Sequence, residues 1–304
     1  MKRVKIKNSI LFVFLVSGFG LLYVSCNKVE KEADNKVKVE KEKVIDYFPD
    51  KINFEGEQAP LKIEDVKERF DRELIVNKNY HSYTILALKR ANKSFPIIEP
   101  ILKKNGVPDD FKYLAVIESG LVNVVSKAGA RGVWQFMPET AKGMGLEVNN
   151  NVDERYHLAK STQAACDFIL NAKDKFGSWT LAAASYNRGL VGVQKLLKFQ
   201  QESSYYDLYM NEETGRYVFR IMALKEIMKD PAKFGFQVDA KDKYKLITTK
   251  KVVVTNSIDN LVAFAKAQGI NYKTLKIYNP WLRSVRLLNP THKRYVIEIP
   301  LSGL

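Results

Sequence analysis

The chain has 304 residues, 46% hydrophobic and 27% charged, with a formal net charge of +15. That length supports one sizeable core and a small satellite domain. Its Lys and Arg residues are scattered rather than gathered into a stripe, and no nucleic-acid motif accompanies them. This excludes nucleic acid as a partner and suits a polyanionic wall or an anionic membrane face. The three histidines and two cysteines show no ligand spacing, so neither a metal site nor a cofactor is expected.

Lys2, Arg3, Lys5 and Lys7 precede an apolar run of about 15 residues at 10–24, short for a spanning helix, and Cys26 follows Ser25 directly. Residues 1–25 read as a lipoprotein signal, with Cys26 lipidated and holding the chain to a membrane; a retained N-terminal anchor is the alternative. Either takes the chain to the cell envelope, facing the periplasm, with the outer membrane as the expected anchorage. Without those four positive charges the net charge is +11. Residues 26–60 are assigned to a charged tether. Residues 27–46 are mainly Lys, Glu, Val and Asp, with no aromatic, Gly or Pro, too polar to build a core.

From 61 to 240 the pattern is helical. Apolar residues recur at three- and four-residue spacing near 64–76, 82–92, 95–105, 109–119, 133–143, 157–176, 178–187, 189–200 and 214–229. Asn105-Gly106, Gly143, Gly177 and Asp230-Pro231 punctuate them. No alternating strand is visible there. The fold class is mainly α, one helical domain with the segment before about 95 packed on it as an extension. Cys166 lies on the flank of an apolar face and reads as a small buried hydrophobe.

Within 109–119, Glu118 closes the apolar run Leu114-Ala115-Val116-Ile117. Asp109-Asp110 open the segment after Pro108, and Gly120 is placed to end it. In a last helical turn the negative end of the dipole and the apolar neighbours both disfavour the anion and raise its pKa. A carboxyl group that keeps its proton near neutral pH is what a general acid needs. By itself the segment also fits a solvated glutamate at a helix end. After 236 the texture changes: 251–255 and 294–300 are β-rich, with helical stretches at 258–268 and 272–278 between them. The result is a small α+β module over 245–304.

Several motifs occur in order. Glu118-Ser119 is followed by Gly132-Val133-Trp134-Gln135-Phe136-Met137, Val152-Asp153-Glu154-Arg155, Ala184-Ser185-Tyr186-Asn187 and Glu213-Thr214-Gly215-Arg216-Tyr217-Val218. In order and spacing they resemble the lytic transglycosylases of goose-lysozyme-like fold, in particular the membrane-bound lytic murein transglycosylase D group. The likeness runs from about 79 to 236. The terminal module resembles a LysM peptidoglycan-binding module but has Asn256-Ser257 in place of the family's Gly-Asp. Glycan binding and a purely structural role therefore both stay open for it.

This resemblance implies a lysozyme-like domain that cleaves the β-1,4 MurNAc–GlcNAc bond of peptidoglycan glycan strands. Glu118 is its single acid/base. Glu139 sits in the first turn of a helix, where an anion is capping chemistry, and nothing local raises the pKa of Asp153 or Glu154. The substrate's own C6 hydroxyl then replaces the second carboxylate of an ordinary glycosidase, giving a 1,6-anhydromuramoyl end. By the same resemblance Ser126, Gln135 and Met137 contact substrate, Tyr186 orients the acetamido group or Glu118, Asn187 supports that loop, and Tyr217 bonds near Glu118. Trp134 is read as core. A hydrolytic muramidase and a non-catalytic wall-binding lipoprotein are the rival readings. The oligomeric state is not legible.

Overall fold

The computed structural model describes residues 47–302. The signal, Cys26 and the tether up to 46 lie outside the described residues. Residues 47–60, assigned above to the tether, are folded. Strands β1 (Asn53–Phe54) and β2 (Glu57–Gln58) form a tight hairpin, and Ile52, Phe54 and Ala59 are buried in the main core. Phe54 meets Phe111 edge-on at 5.0 Å between centroids.

The polar residues that make this stretch look like a tether are its anchors. Glu57 accepts from the Thr180 N–H at 2.9 Å, from both the Ser178 and Thr180 hydroxyls at 2.8 Å, and from the Trp179 N–H. It thereby caps the free donors of a helix start. The Glu55 N–H donates to Asp110, and the Asp110 N–H donates back to Glu55, each at 3.1 Å. The buried Lys225 ammonium bonds Asp110 and the Asn53 carbonyl.

Helices α1 (Glu64–Asn79) and α2 (His81–Lys104) follow. The sequence pattern divides α2 into two helices. It is one, because Ala87, Leu88, Ala91, Ile98 and Leu102 keep one face buried across Pro96 and Pro100. The two missing N–H donors are one turn apart and weaken the ladder without interrupting that face. A 3-10 turn at Asp109–Phe111 leads into α3 (Lys112–Ser119). All five residues from Tyr113 to Ile117 are buried, so α3 runs through the core with no solvent face until its last turn. Gly120 ends it in the left-handed region at φ 61°, as its position in the sequence predicts.

Next comes the antiparallel hairpin of β3 (Val124–Val125) and β4 (Arg131–Gly132). The helix expected over 133–143 shortens to α4 (Pro138–Gly143). Residues 131–137 are instead a tight loop closed by the Arg131 N–H on the Phe136 carbonyl at 3.1 Å. Gly132 sits at φ 85°, where a Cβ would lie 1.9 Å from the Arg155 carbonyl oxygen, and no other residue fits. Arg155 fixes the same loop from beneath. Buried beside Asp153, it makes a two-pronged pair with that carboxylate at 2.7 and 2.9 Å and donates to the Gly129 and Phe136 carbonyls at 3.3 and 3.2 Å. Trp134 is fully buried, as expected, although in a loop and not a helix.

Helices α5 (Leu158–Phe176), α6 (Trp179–Arg188), α7 (Leu190–Gln200) and α8 (Glu212–Lys229) complete the helical domain. α8 packs on α1, α3 and α6. Cys166 is buried and unpaired.

The terminal module is strand–helix–helix–strand: β5 (Thr249–Val254), α9 (Leu261–Ala267), α10 (Tyr272–Tyr278) and β6 (Tyr295–Pro300), with β5 and β6 antiparallel from Thr249↔Pro300 to Val254↔Tyr295. It is docked on residues 147–157 of the helical domain. The Asp153 N–H donates to the Trp281 carbonyl and the Arg283 N–H to the Asn151 carbonyl, both at 2.9 Å. Val152 and Tyr156 belong to the module's own apolar cluster.

The hairpin therefore has a measurable role. Lys225→Met leaves Asp110 buried against an apolar neighbour, and breaking one side of a buried pair costs about 3–5 kcal/mol. Urea unfolding of this variant is expected to show a loss in that range. Deleting 47–60 is expected to lose at least as much, whereas a true tether could be removed at no cost to stability.

Candidate active site

Glu118 stands at the solvent end of α3, half-buried, where the core helix first reaches the surface. Its carboxylate Oε1 accepts a short hydrogen bond from the Tyr217 hydroxyl. Tyr217 comes from α8, a separate helix packed across α3, and its ring is almost wholly buried. On the same face of α8, three and four residues away, lie Arg220 and Glu213.

Burial is the main cause that lifts the Glu118 pKa to about 7; the Tyr217 hydroxyl and the Arg220 charge oppose it, and Glu213 adds to it. The direction matches the sequence expectation. The helix dipole invoked there is answered by donors. The Tyr83 hydroxyl donates to the Val116 carbonyl at 2.7 Å, Arg220 to the Ile117 carbonyl at 3.2 Å, and Arg90 to the Gly120 carbonyl at 3.1 Å. With its last carbonyls capped, the end of α3 has lost much of the negative potential an open helix end carries. Desolvation is left as the dominant effect.

The remaining candidates build the surround. Tyr186, in the penultimate turn position of α6, donates its hydroxyl to the Trp134 carbonyl at 2.8 Å. Burial raises its pKa, and the charge of Glu118 raises it further, so the two groups lie within each other's field. Asn187 bridges α6 to the start of α8: its amide donates to Glu213 at 3.0 Å and its oxygen accepts from the Thr214 hydroxyl at 2.8 Å. Gln135 adopts φ 49° and donates to the Gly132 carbonyl at 2.7 Å and the Val124 carbonyl at 3.1 Å, tying the loop to β3. The Ser126 hydroxyl accepts from the Ala130 N–H at 3.0 Å and closes the hairpin turn. Met137 precedes α4 and is 42% exposed. Only Tyr217 bonds Glu118 directly; the others shape the loop and helix ends around it.

Four contributors escaped the sequence reading. Ser119 donates to the Val133 carbonyl at 2.8 Å and so ties the Glu118 end of α3 to the loop of Gln135. Tyr83, Arg90 and Arg220 cap α3. Arg220 carried a readable signal, since it stands three residues after Tyr217 on one helix. Tyr83 and Arg90 are some thirty residues from Glu118 in sequence and carried none.

Residues 95–208 match the transglycosylase SLT domain, and residues 250–303 match the soluble lytic transglycosylase C-terminal LysM-like domain. The chain joins an SLT transglycosylase domain to a LysM-like module. It is 28% identical over 233 residues to the membrane-bound lytic murein transglycosylase D of Escherichia coli K12, covering 74% of this chain and 49% of that protein. The counterpart in E. coli O6:H1 matches to the same extent. The chain thus spans about half the length of these relatives. Glu118, Gln135, Tyr186 and Asn187 lie inside the matched SLT residues; Tyr217 and Arg220 lie beyond them, on α8.

The raised pKa has a stability consequence. The folded chain holds this proton more tightly than the unfolded chain, so Glu118 costs nothing below about pH 4.5 and an increasing amount as pH rises through 7. Glu118→Gln is expected to melt with wild type at pH 4 and above it at pH 8, by on the order of 2 kcal/mol. Thermal unfolding across that pH range measures it; an equal difference at both ends contradicts a buried, proton-holding acid.

Proposed function

We propose that the chain is a lytic transglycosylase that cleaves the β-1,4 MurNAc–GlcNAc bond of peptidoglycan, with Glu118 as its only acid/base. The observation that carries this is the Glu118 carboxyl group, held by Tyr217 at a helix end and lifted by burial to a pKa of about 7, with Asp153, Glu154 and Glu139 each tied to a cation of its own. Asp153 is locked to Arg155 and Glu154 to Lys160. Glu139 pairs with Lys142 at 3.1 Å on the surface, and Glu213 is held by Asn187. A two-carboxylate glycosidase needs a second group aimed at the same bond; Glu213, the carboxylate that acts on Glu118, is held by the Asn187 amide, and among the described residues no second carboxylate is hydrogen-bonded to Glu118 or Tyr217.

In the first step Glu118 gives its proton to the glycosidic oxygen as the bond to the anomeric carbon breaks. The Tyr217 hydrogen bond and the Arg220 charge then favour the carboxylate that forms. In the second step that carboxylate takes the proton of the muramoyl C6 hydroxyl, whose oxygen attacks the anomeric carbon of its own ring. No water is consumed and Glu118 is restored. The intramolecular attack carries a large effective molarity, which makes an activated water unnecessary. Tyr186 and Asn187 hold the loop and helix ends that would face the acetamido group, and Ser126, Gln135 and Met137 line the opposite hairpin as substrate contacts.

The relatives named membrane-bound support a place at the cell envelope for this chain too. Among the described residues no helix is long and apolar enough to cross a membrane. A lipid on Cys26, facing the periplasm from the outer membrane, is the anchor this reading assigns.

Purified peptidoglycan digested by the chain is expected to release products one water lighter than hydrolytic muropeptides; products of full mass would make the chain a muramidase. Glu118→Gln is expected to lose at least the roughly 10²–10⁴-fold that proton transfer contributes. Tyr217→Phe removes a bond that lowers the Glu118 pKa. The alkaline limb of its pH–rate profile should therefore move upward from about 7 while the maximal rate falls. An unmoved limb would mean that Glu118 is not the group that titrates.

A further inference from the structure

The docked terminal module leaves a cleft of about 400 Å³ between its sheet and the helical domain. One wall is α2 and residues 156–159; the other is the face of β5 and β6 turned away from the module's own helices, closed by Tyr278 and Trp281 after α10. Asn123 forms its edge and donates to the Tyr156 carbonyl at 3.3 Å. Asn123 is five residues from Glu118, a chain span of at most ~18 Å, so a strand held at Glu118 passes within reach of the cleft.

Three features show that this space is more than a seam. Ser94 is only 4% exposed, lines the cleft from α2, and its hydroxyl has no hydrogen-bond partner among the described residues. That hydroxyl is open to the cleft and so can donate to or accept from a ligand seated there. Lys93 lines the cleft from α2 and Lys251 lines it from β5, opposite Glu298 in the strand pair; neither has an ion-pair partner among the described residues, and Lys93 lies 5.7 Å from the Tyr244 ring centroid. Glu298 is the one carboxylate in the lining, and it accepts from the Thr249 hydroxyl at 3.5 Å. Finally, Ile277 and Leu246 project apolar surface at the rim, 61% and 49% exposed. Trp281, stacked between His157 and Tyr295, forms a fixed aromatic wall.

The cleft therefore offers two cations, a free hydroxyl, an amide edge and small apolar surfaces. We propose that it seats the acidic peptide carried by the glycan strand, with the peptide carboxylates on Lys93 and Lys251 and an alanyl methyl against Ile277 and Leu246. This rests on the peptidoglycan-cleaving reading of Glu118 and narrows it: the substrate is peptide-bearing glycan in preference to bare glycan. The LysM-like module thereby contributes to substrate choice through the outer face of its sheet, and its docking on residues 147–157 is what forms the pocket.

Binding of N-acetyl-L-alanyl-γ-D-glutamate, a probe with two carboxylates and no sugar, tests the site without any cleavage. Calorimetry on the full chain should show saturable binding that weakens at least tenfold in Lys93→Glu/Lys251→Glu and for the probe with both carboxylates amidated. The same double variant should lose its preference for peptide-bearing over peptide-stripped glycan by about tenfold in kcat/KM. No saturable binding, binding indifferent to the charge reversal, or equal cleavage of the two glycans by wild type would overturn the proposal. If the chain cleaves neither glycan yet binds the probe, it is the reading of Glu118 that fails and the pocket that stands.

Discussion

A carboxyl group at the end of a wholly buried helix can keep its proton near pH 7 only if everything around it stays in register. From Tyr113 to Ile117 α3 has no solvent face, so desolvation of Glu118 is set by how α2 and α8 pack on the helix. Much of the remaining architecture keeps that packing fixed. Tyr83, Arg90 and Arg220 take the free carbonyls at the helix end, Ser119 ties it to the loop of Gln135, and Asn187 joins α6 to α8 so that Tyr217 stays on the acid. At the other end of α3, the Glu55–Asp110–Lys225 contacts bring the N-terminal hairpin onto the turn where the helix starts.

This arrangement separates two demands that usually conflict. In the proposed reaction, burial favours the protonated acid before bond cleavage, while the Tyr217 hydroxyl and the Arg220 charge favour the carboxylate after it. Neither is strong enough to win outright, and a pKa of about 7 is the consequence. A more exposed glutamate would ionise too readily, and one buried without Tyr217 and Arg220 would give up its proton too reluctantly.

Long amphipathic helices and the Gly120 stop were legible because their periodicity and capping chemistry are local. So was Glu118, an ionisable residue closing an apolar run. The hairpin at 53–58 was not. Two-residue strands carry no alternation, and Glu55 and Glu57 look solvated until Asp110 and the start of α6 arrive from distant sequence. The helix expected over 133–143 started too early, at 133, because Val133, Trp134 and Phe136 are apolar at compatible spacing. What overrides that pattern is the approach of the Arg155 carbonyl to Gly132, which no local signal reports. α2 was divided at 93–94 because Lys93-Ser94 interrupts the apolar run, whereas Ser94 is itself buried and the buried face spans the whole helix. Of the site residues, most of those inside recognisable motifs were found; Ser119, though part of the Glu118-Ser119 motif, was given no role, and it and the cations and tyrosine that cap α3 were missed because their partners are backbone carbonyls.

The account turns on one property of one side chain. With the carboxyl carbons of glutamate labelled with ¹³C, and Glu118→Gln used to assign the resonance, the titration of Glu118 can be followed directly by NMR in the free chain. A midpoint near 7 is expected. A midpoint near 4.5, the ordinary value for a glutamate, would contradict the account, because Glu118 would then be an anion at neutral pH with no proton to give.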